Sequence, residues 1–134
     1  MIPSTNTILS TDLEVETQPS KNYKMHLEQN IVNGFCDGLE AMQQVIHKIL
    51  NTERYQHIIY SWNYGIELLD LYGEPITYVC PELQRRITEA LIQDDRIESV
   101  DDFKFDTSEK RTVKATFTVH TIFGNVESEK VVNF

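Results

Sequence analysis

The side chains best suited to chemistry in this 134-residue chain are four histidines, two cysteines and 21 carboxylates, and their spacing limits what they can do. His26, His47, His57 and His120 form no HxxxH or HxxE grouping, so the pattern of a helical zinc site is missing. Cys36 and Cys80 are far apart and make no CxxC, which supports neither a zinc ribbon nor a redox motif. They read as buried free thiols of a chain assembled in a reducing compartment, with a single bridge between them left open. No serine sits in a GxSxG elbow, and the five glycines form neither a phosphate loop nor a dinucleotide fingerprint. The acidic run Asp94, Asp95, Glu98, Asp101, Asp102, Asp106 and Glu109 lacks the central glycine and alternating ligands of an EF-hand loop. Glu53 and Glu67 have the side chains of a glycosidase acid and base, but carboxylates are too abundant here for that pairing to be specific. The expectation is a protein that is not an enzyme and needs no metal or other cofactor.

The elements around these residues are those of an ordinary globular chain. With 40% apolar residues and a length that suits one domain, it buries roughly 70% of its unfolded surface without staples. The formal charge of −9 argues against nucleic acid or an anionic membrane as partner, because such binding starts from clustered Lys and Arg. No apolar run reaches the roughly 20 residues that span a bilayer. The acidity is uneven: Met1 to Ser20 holds three acids and no base, and Asp94 to Glu109 holds seven acids against Arg96 and Lys104. An acidic N-terminus is the opposite of a targeting signal. Residues 1–22 read as an extended arm rich in Ser, Thr, Asn, Gln and Pro, and residues 23–134 as a single domain.

Within the domain, Tyr23 to Glu28 alternates with the period of a strand, and Ile31 to Phe35 is its hairpin partner. Asp37-Gly38-Leu39-Glu40 has the form of a capping box, with Asp37 taking the amide three residues on and Glu40 reaching back. The helix it opens carries Leu39, Met42, Val45, Ile46, Ile49 and Leu50 on one face and runs to about Asn51. Arg54 to Trp62 reads as extended, and Tyr64 to Tyr72 as a short helix stopped by Gly73-Glu74-Pro75. Trp62 and Tyr64, at that junction, are expected in the core. A longer helix starts at Tyr78 or Pro81 and ends near Gln93, burying Leu83, Ile87, Ala90 and Leu91. Its pairs Glu82 with Arg86 and Arg85 with Glu89 are expected on the solvated face. Ile97 to Phe105 is a strand, and Val113 to Phe123 alternates strictly. Gly124-Asn125 is the expected hairpin turn. That register puts Phe123 opposite Val126, Phe117 opposite Val132 and Ala115 opposite Phe134. It also puts His120 opposite Glu129, an ion pair rather than a catalytic dyad, and Lys130 opposite Val119 at a bulge or edge. The predicted fold is α+β, with about three helices on a small, mostly antiparallel sheet that ends in a β-hairpin.

Three stretches together resemble a known family: Gly38 to Leu50 with Thr52-Glu53-Arg54, Trp62-Asn63-Tyr64-Gly65 leading to Leu68-Leu69, and Leu91 to Val100. The order is similar to the gene-product-25-like wedge proteins of contractile phage tail baseplates, most of all their XkdS-like branch in prophages and tail-like bacteriocins. The likeness runs from about Gly34 to the C-terminus. The family's Glu-Pro-Arg before a valine-rich strand reads Asp94-Asp95-Arg96 here, keeping the arginine and departing at the two preceding positions. The resemblance implies a structural component that docks on the wedge's helical core bundle through this corner, with Glu53, Arg54, Tyr64 and Gly65 as further interaction residues. An arginine there also suits capping of the helix's last carbonyls. Arg96→Glu would then weaken wedge binding without unfolding the domain.

The resemblance further implies a C-terminal sheet like that of the sheath protein, which seeds the first sheath ring by strand exchange, with His120 and Glu129 on its face. Implied partners are other wedge proteins, the sheath protein, and hub or spike proteins, with several copies in a symmetric ring. Assembly is implied in the host bacterial cytoplasm, and the mature place is the baseplate. The competing readings are the equivalent subunit of a type VI secretion baseplate and, from a different class, a peptidoglycan-cleaving lysozyme-like enzyme.

Overall fold

The computed structural model describes residues 16, 17 and 19–133. Most of the expected N-terminal arm therefore lies outside the described residues. The first hairpin forms where alternation placed it, β1 (Asn22–His26) against β2 (Ile31–Cys36), antiparallel with Asn22 opposite Cys36 and His26 opposite Ile31. Asn30 takes a left-handed φ of 54° in its turn, a conformation Asn tolerates better than most residues. Helix α1 (Gly38–Leu50) follows with Asp37 as its N-cap. The cap differs from the expected box: the Asp37 carboxylate accepts from the Gly38 amide at 2.7 Å. Glu40 pairs instead with Lys24 Nζ at 2.8 Å. Gln44 ties the hairpin to the helix, donating to the Tyr23 carbonyl at 2.6 Å and accepting from the Met25 amide at 3.0 Å. Met42, Ile46, Ile49 and Leu50 are buried as the stripe requires, while Leu39 is exposed.

Two expectations between Arg54 and Tyr72 are corrected. No strand forms at 54–62, and of the Tyr64 to Tyr72 helix only a 3-10 turn at Leu69–Leu71 exists, so the described residues hold two α-helices rather than about three. Ile58, Ile59 and Tyr60 have no neighbouring strand to pair with, and their segment closes on itself through local bonds, Tyr60 N to His57 O and Tyr64 N to Ser61 O. Its ends are clasped by Arg54 N donating to Ile66 O (3.1 Å) and Ile66 N donating to Thr52 O (2.9 Å). Gly65 sits at φ 93°, where a Cβ would lie 2.5 Å from the Thr52 carbonyl oxygen. Only glycine fits that approach. Gly65→Ala is expected to cost about 2 kcal/mol, from backbone strain plus the clash. Chemical denaturation checks this, with the midpoint falling and the slope unchanged.

Helix α2 (Ile76–Ile92) begins directly after Pro75, earlier than expected, and carries Pro81 in its interior. Its buried stripe is Val79, Leu83, Arg86, Ile87, Ala90 and Leu91. The three-stranded antiparallel sheet has the order β3 (Ile97–Asp106), β4 (Thr112–Thr121), β5 (Gly124–Asn133). The β4–β5 hairpin exists, but its register is corrected: Thr121 pairs with Gly124, Val119 with Val126, Phe117 with Ser128, Ala115 with Lys130 and Val113 with Val132. The turn is thus Ile122-Phe123. Thr121 supplies the reason, since its hydroxyl donates to the Gly124 carbonyl at 2.7 Å and accepts the Phe123 amide at 3.2 Å. The displacement is an even number of residues, so the paired side chains of β4 and β5 keep their predicted faces, while Phe123 passes into the turn, exposed, and Phe134 lies outside the described residues.

Both helices pack on one face of this sheet. Val113, Ala115, Phe117 and Val119 meet Met42, Ile46, Leu83, Ile87 and Leu91 in a single core, and Phe103 stacks on Phe117 at 5.3 Å. Lys130 falls on that inner face on β5, an edge strand of the sheet, so of the two expected settings it is the edge and not a bulge. Its ammonium reaches Asn51 Oδ1 at 3.3 Å, just past the end of α1, where a cation is favoured. Partial burial holds the Lys130 amine below its ordinary pKa. Both cysteines are free, Cys36 buried and Cys80 partly so.

Candidate protein-interaction surfaces

The corner between α2 and β3 is built by its own ion pair. Arg96 Nε donates to Asp94 Oδ1 at 2.9 Å and Nη2 to Oδ2 at 2.7 Å, while the Arg96 amide adds a third bond to Oδ1 at 3.0 Å. Both side chains are almost buried, 7% and 10% exposed. Arg96 Nη1 donates to the Pro19 carbonyl at 3.3 Å, so the guanidinium fastens the segment before β1 rather than capping α2. Burial works against the Asp94 carboxylate, but the bonds from Arg96 outweigh it and hold the group below its usual range. The Arg96 guanidinium is raised, first by its bond to Asp94. Of the three residues of this corner, only Asp95 is exposed.

Beside the corner lies a groove of about 340 Å³ lined by Asn22, Lys48, Asn63, Tyr64, Gln93 and Arg96 among others. Asn63 Nδ2 donates to Gln93 Oε1 at 3.0 Å, which joins the 54–66 loop to the end of α2. Tyr64 is half-buried and stacks on Tyr60 at 4.5 Å; burial, chiefly, raises its phenol. Trp62, expected in the core, is instead 85% exposed. Its neighbours supply no strand or helix to fold it inward.

Glu53 and Arg54 serve the loop's base. Glu53 Oε1 accepts from the Leu68 and Leu69 amides at 2.9 and 3.1 Å. That carboxylate therefore fixes backbone instead of facing an open cleft with Glu67. Arg54 Nη1 donates to Glu89 Oε1 at 3.1 Å, and its buried Nε has no hydrogen-bond partner. Among the described residues no three His, Cys, Asp or Glu side chains gather as a metal site.

Sequence reasoning missed Arg86, expected on the solvated face. It is buried, bonds both oxygens of Asp70, and donates to the Glu67 carbonyl at 2.8 Å and Glu82 at 3.3 Å. The signal was available, because positions 79, 83, 86 and 90 form one helical stripe.

The structure separates His120 from Glu129. Glu129 lies opposite Thr116 and pairs with Lys114 Nζ at 3.0 Å. The His120 ring lies 2.8 Å from Asp101 Oδ1 and 2.7 Å from Asn125 Oδ1. Donating to both acceptors requires both nitrogens protonated, so Asp101 first, then Asn125, raise its pKa above the ordinary 6.5. The pair's contribution to stability is complete below that value and is lost as pH rises through the higher folded pKa. An NMR titration of the His120 ring should show the upward shift, and Asp101→Asn should remove most of it.

Among the described residues the β3-β4-β5 sheet has an unpaired edge on each side, near an acidic corner and an exposed loop, and such features suit contacts with other chains. A family model described as the contractile injection system sheath initiator matches residues 15–124. The chain belongs to this sheath initiator family. It is also 39% identical over 128 residues to the phage-like element PBSX protein XkdS of Bacillus subtilis (strain 168), with 90% of each chain covered. The wedge-protein resemblance of the sequence is thereby established at the level of family. Sheath initiators are structural parts of contractile tails, and no helix among the described residues is long and apolar enough to cross a membrane.

Proposed function

We propose that this sheath initiator is a baseplate wedge component that joins the wedge's helical core to the first ring of sheath. The observation that carries the reading is the sheet order β3-β4-β5, which leaves β3 and β5 with one unpaired edge each among the described residues. β5 is ten residues long and unbroken by bulges against β4. Such an edge accepts a strand from a neighbouring chain through main-chain hydrogen bonds. Family membership supplies the neighbour's class, sheath protein or another baseplate chain.

The second contact is the corner at Asp94-Asp95-Arg96 with the adjoining groove. Its buried ion pair holds the backbone rigid and presents Asp95 outward. A partner with basic residues fits that face, and raising salt should weaken the contact. Domain organisation follows the same reading, with residues 23–134 as the wedge domain and 1–22 as its arm. Particles assembled from the full gene cluster with this chain deleted should show baseplates without sheath. Sheath of normal length in its absence would overturn the proposal.

A further inference from the structure

Tyr55 to Ile66 is a run of twelve residues without one charged side chain, in a protein where a quarter of all residues are charged. The structure turns this run into a closed loop that holds its apolar side chains out. Ile58 is fully exposed, Ile59 86% and Trp62 85%, with Tyr55 also exposed at 64%. An isolated exposed apolar residue is ordinary, but a contiguous group of this size on one loop marks a contact surface.

The loop is built to keep that shape. Its ends are clasped by the two backbone bonds between Thr52, Arg54 and Ile66, and Gly65 makes the close approach that lets them meet. Tyr55 is held at φ 70°, a left-handed conformation costly for a bulky residue and kept only where surroundings enforce it. Its ring meets Trp62 edge-on at 6.3 Å, and Arg54 lies over it at 6.0 Å. Between Tyr55, His57, Ile58, Tyr60 and Trp62 is a cavity of about 420 Å³, within the range of sites that enclose apolar groups.

Charge selects the occupant. Two copies of a chain carrying −9 each repel, and nothing in the uncharged loop offsets that repulsion. The loop is joined through Asn63 and Gln93 to the end of α2, where Ile92 is exposed beside acidic Asp95. We infer that the 55–62 loop is the docking site for a different chain of the particle, one that inserts uncharged apolar side chains into this cavity and carries Lys or Arg alongside. This inference rests on the baseplate reading and adds to it a third contact, distinct from the sheet edge and from the Asp94 to Arg96 corner. An aromatic and aliphatic anchor inside a neutral patch with a charged rim is the usual anatomy of a protein contact.

The test uses the full chain expressed with its own gene cluster. A photo-crosslinking benzoylphenylalanine replaces Ile58 or, separately, Trp62; assembled particles are irradiated and the joined peptides are identified. The expected product is a single other baseplate chain, joined at an apolar segment flanked by basic residues. Crosslinks to a second copy, or none in sheathed particles, would overturn the inference and leave the baseplate role standing. Sheath formed without this chain would overturn the role itself.

Ile59→Asp and Trp62→Ser, both at exposed positions, should each lower affinity for the crosslinked chain by about tenfold or more while the melting temperature stays put. Unchanged affinity in both would also overturn it. Trp62 is the only tryptophan, so emission of the isolated chain should be that of a water-exposed indole. Flotation of the purified chain with zwitterionic phosphatidylcholine vesicles would show a lipid surface instead and refute the protein occupant.

Discussion

Arg96→Glu is expected to destabilise the domain by roughly 4 kcal/mol, a large share of the total stability of a domain of this size. The substitution places a second carboxylate against Asp94 in a site where both native side chains are nine-tenths buried. The two guanidinium bonds to Asp94 lose their donor while the residue-96 amide keeps its own, and the Pro19 carbonyl also loses its donor. The family resemblance alone suggested that this change would weaken wedge binding in a folded domain; burial of the pair makes stability the first casualty. Exposed Asp95 is the cleaner probe of docking, and Asp95→Lys should leave the melting curve within about 0.5 kcal/mol of the parent. Acid attacks the same pair. Asp94 titrates below its ordinary value in the fold, so its share of stability is present above the unfolded pKa of about 3.9 and is lost as pH falls through the lower folded one. Thermal melts from pH 6 to pH 2 check the direction, with Arg96→Glu giving up most of that acid-sensitive part.

The legible parts of the fold were those with a clean period. Helix α1, the first hairpin and the C-terminal strands all announce themselves by apolar spacing, and the structure forms each of them. The β4–β5 register was not legible because the choice between two turns depended on Thr121, whose hydroxyl closes Ile122-Phe123. A Gly-Asn pair is a strong local turn signal, yet here Gly124 opens the strand instead. Between Arg54 and Tyr72 local propensity misled, since Ile58-Ile59-Tyr60 reads as a strand only if another strand lies beside it. The same residues are now the exposed loop. Of the candidate site, the place of Asp94 to Arg96 was legible from the helix end, but the internal pairing of Asp94 with Arg96 was not. His120 and Glu129 parted for the same reason the register moved.

The second large effect is expected at a residue no motif pointed to. Arg86→Ala should cost about 3 kcal/mol, more than any exposed ion pair is worth. Arg86 lies in the buried stripe of α2 and spends its donors on Asp70, the Glu67 carbonyl and Glu82. Those acceptors belong to three places: the backbone that follows the exposed loop, the 3-10 turn, and α2 itself. The arginine therefore staples the irregular 66–71 segment to the second helix, where regular secondary structure supplies few bonds. Asp70 is itself more than half exposed, so its charge can be solvated when the partner goes, which keeps the loss below that of a fully buried pair. Arg86→Met, which restores apolar volume without the donors, should recover part of the loss. Asp70→Asn should cost less than half as much as Arg86→Ala, because the Glu67 carbonyl keeps its donor. Urea denaturation of the three variants separates packing from hydrogen bonding. Equal midpoints for Arg86→Ala and the parent would show that the staple contributes nothing.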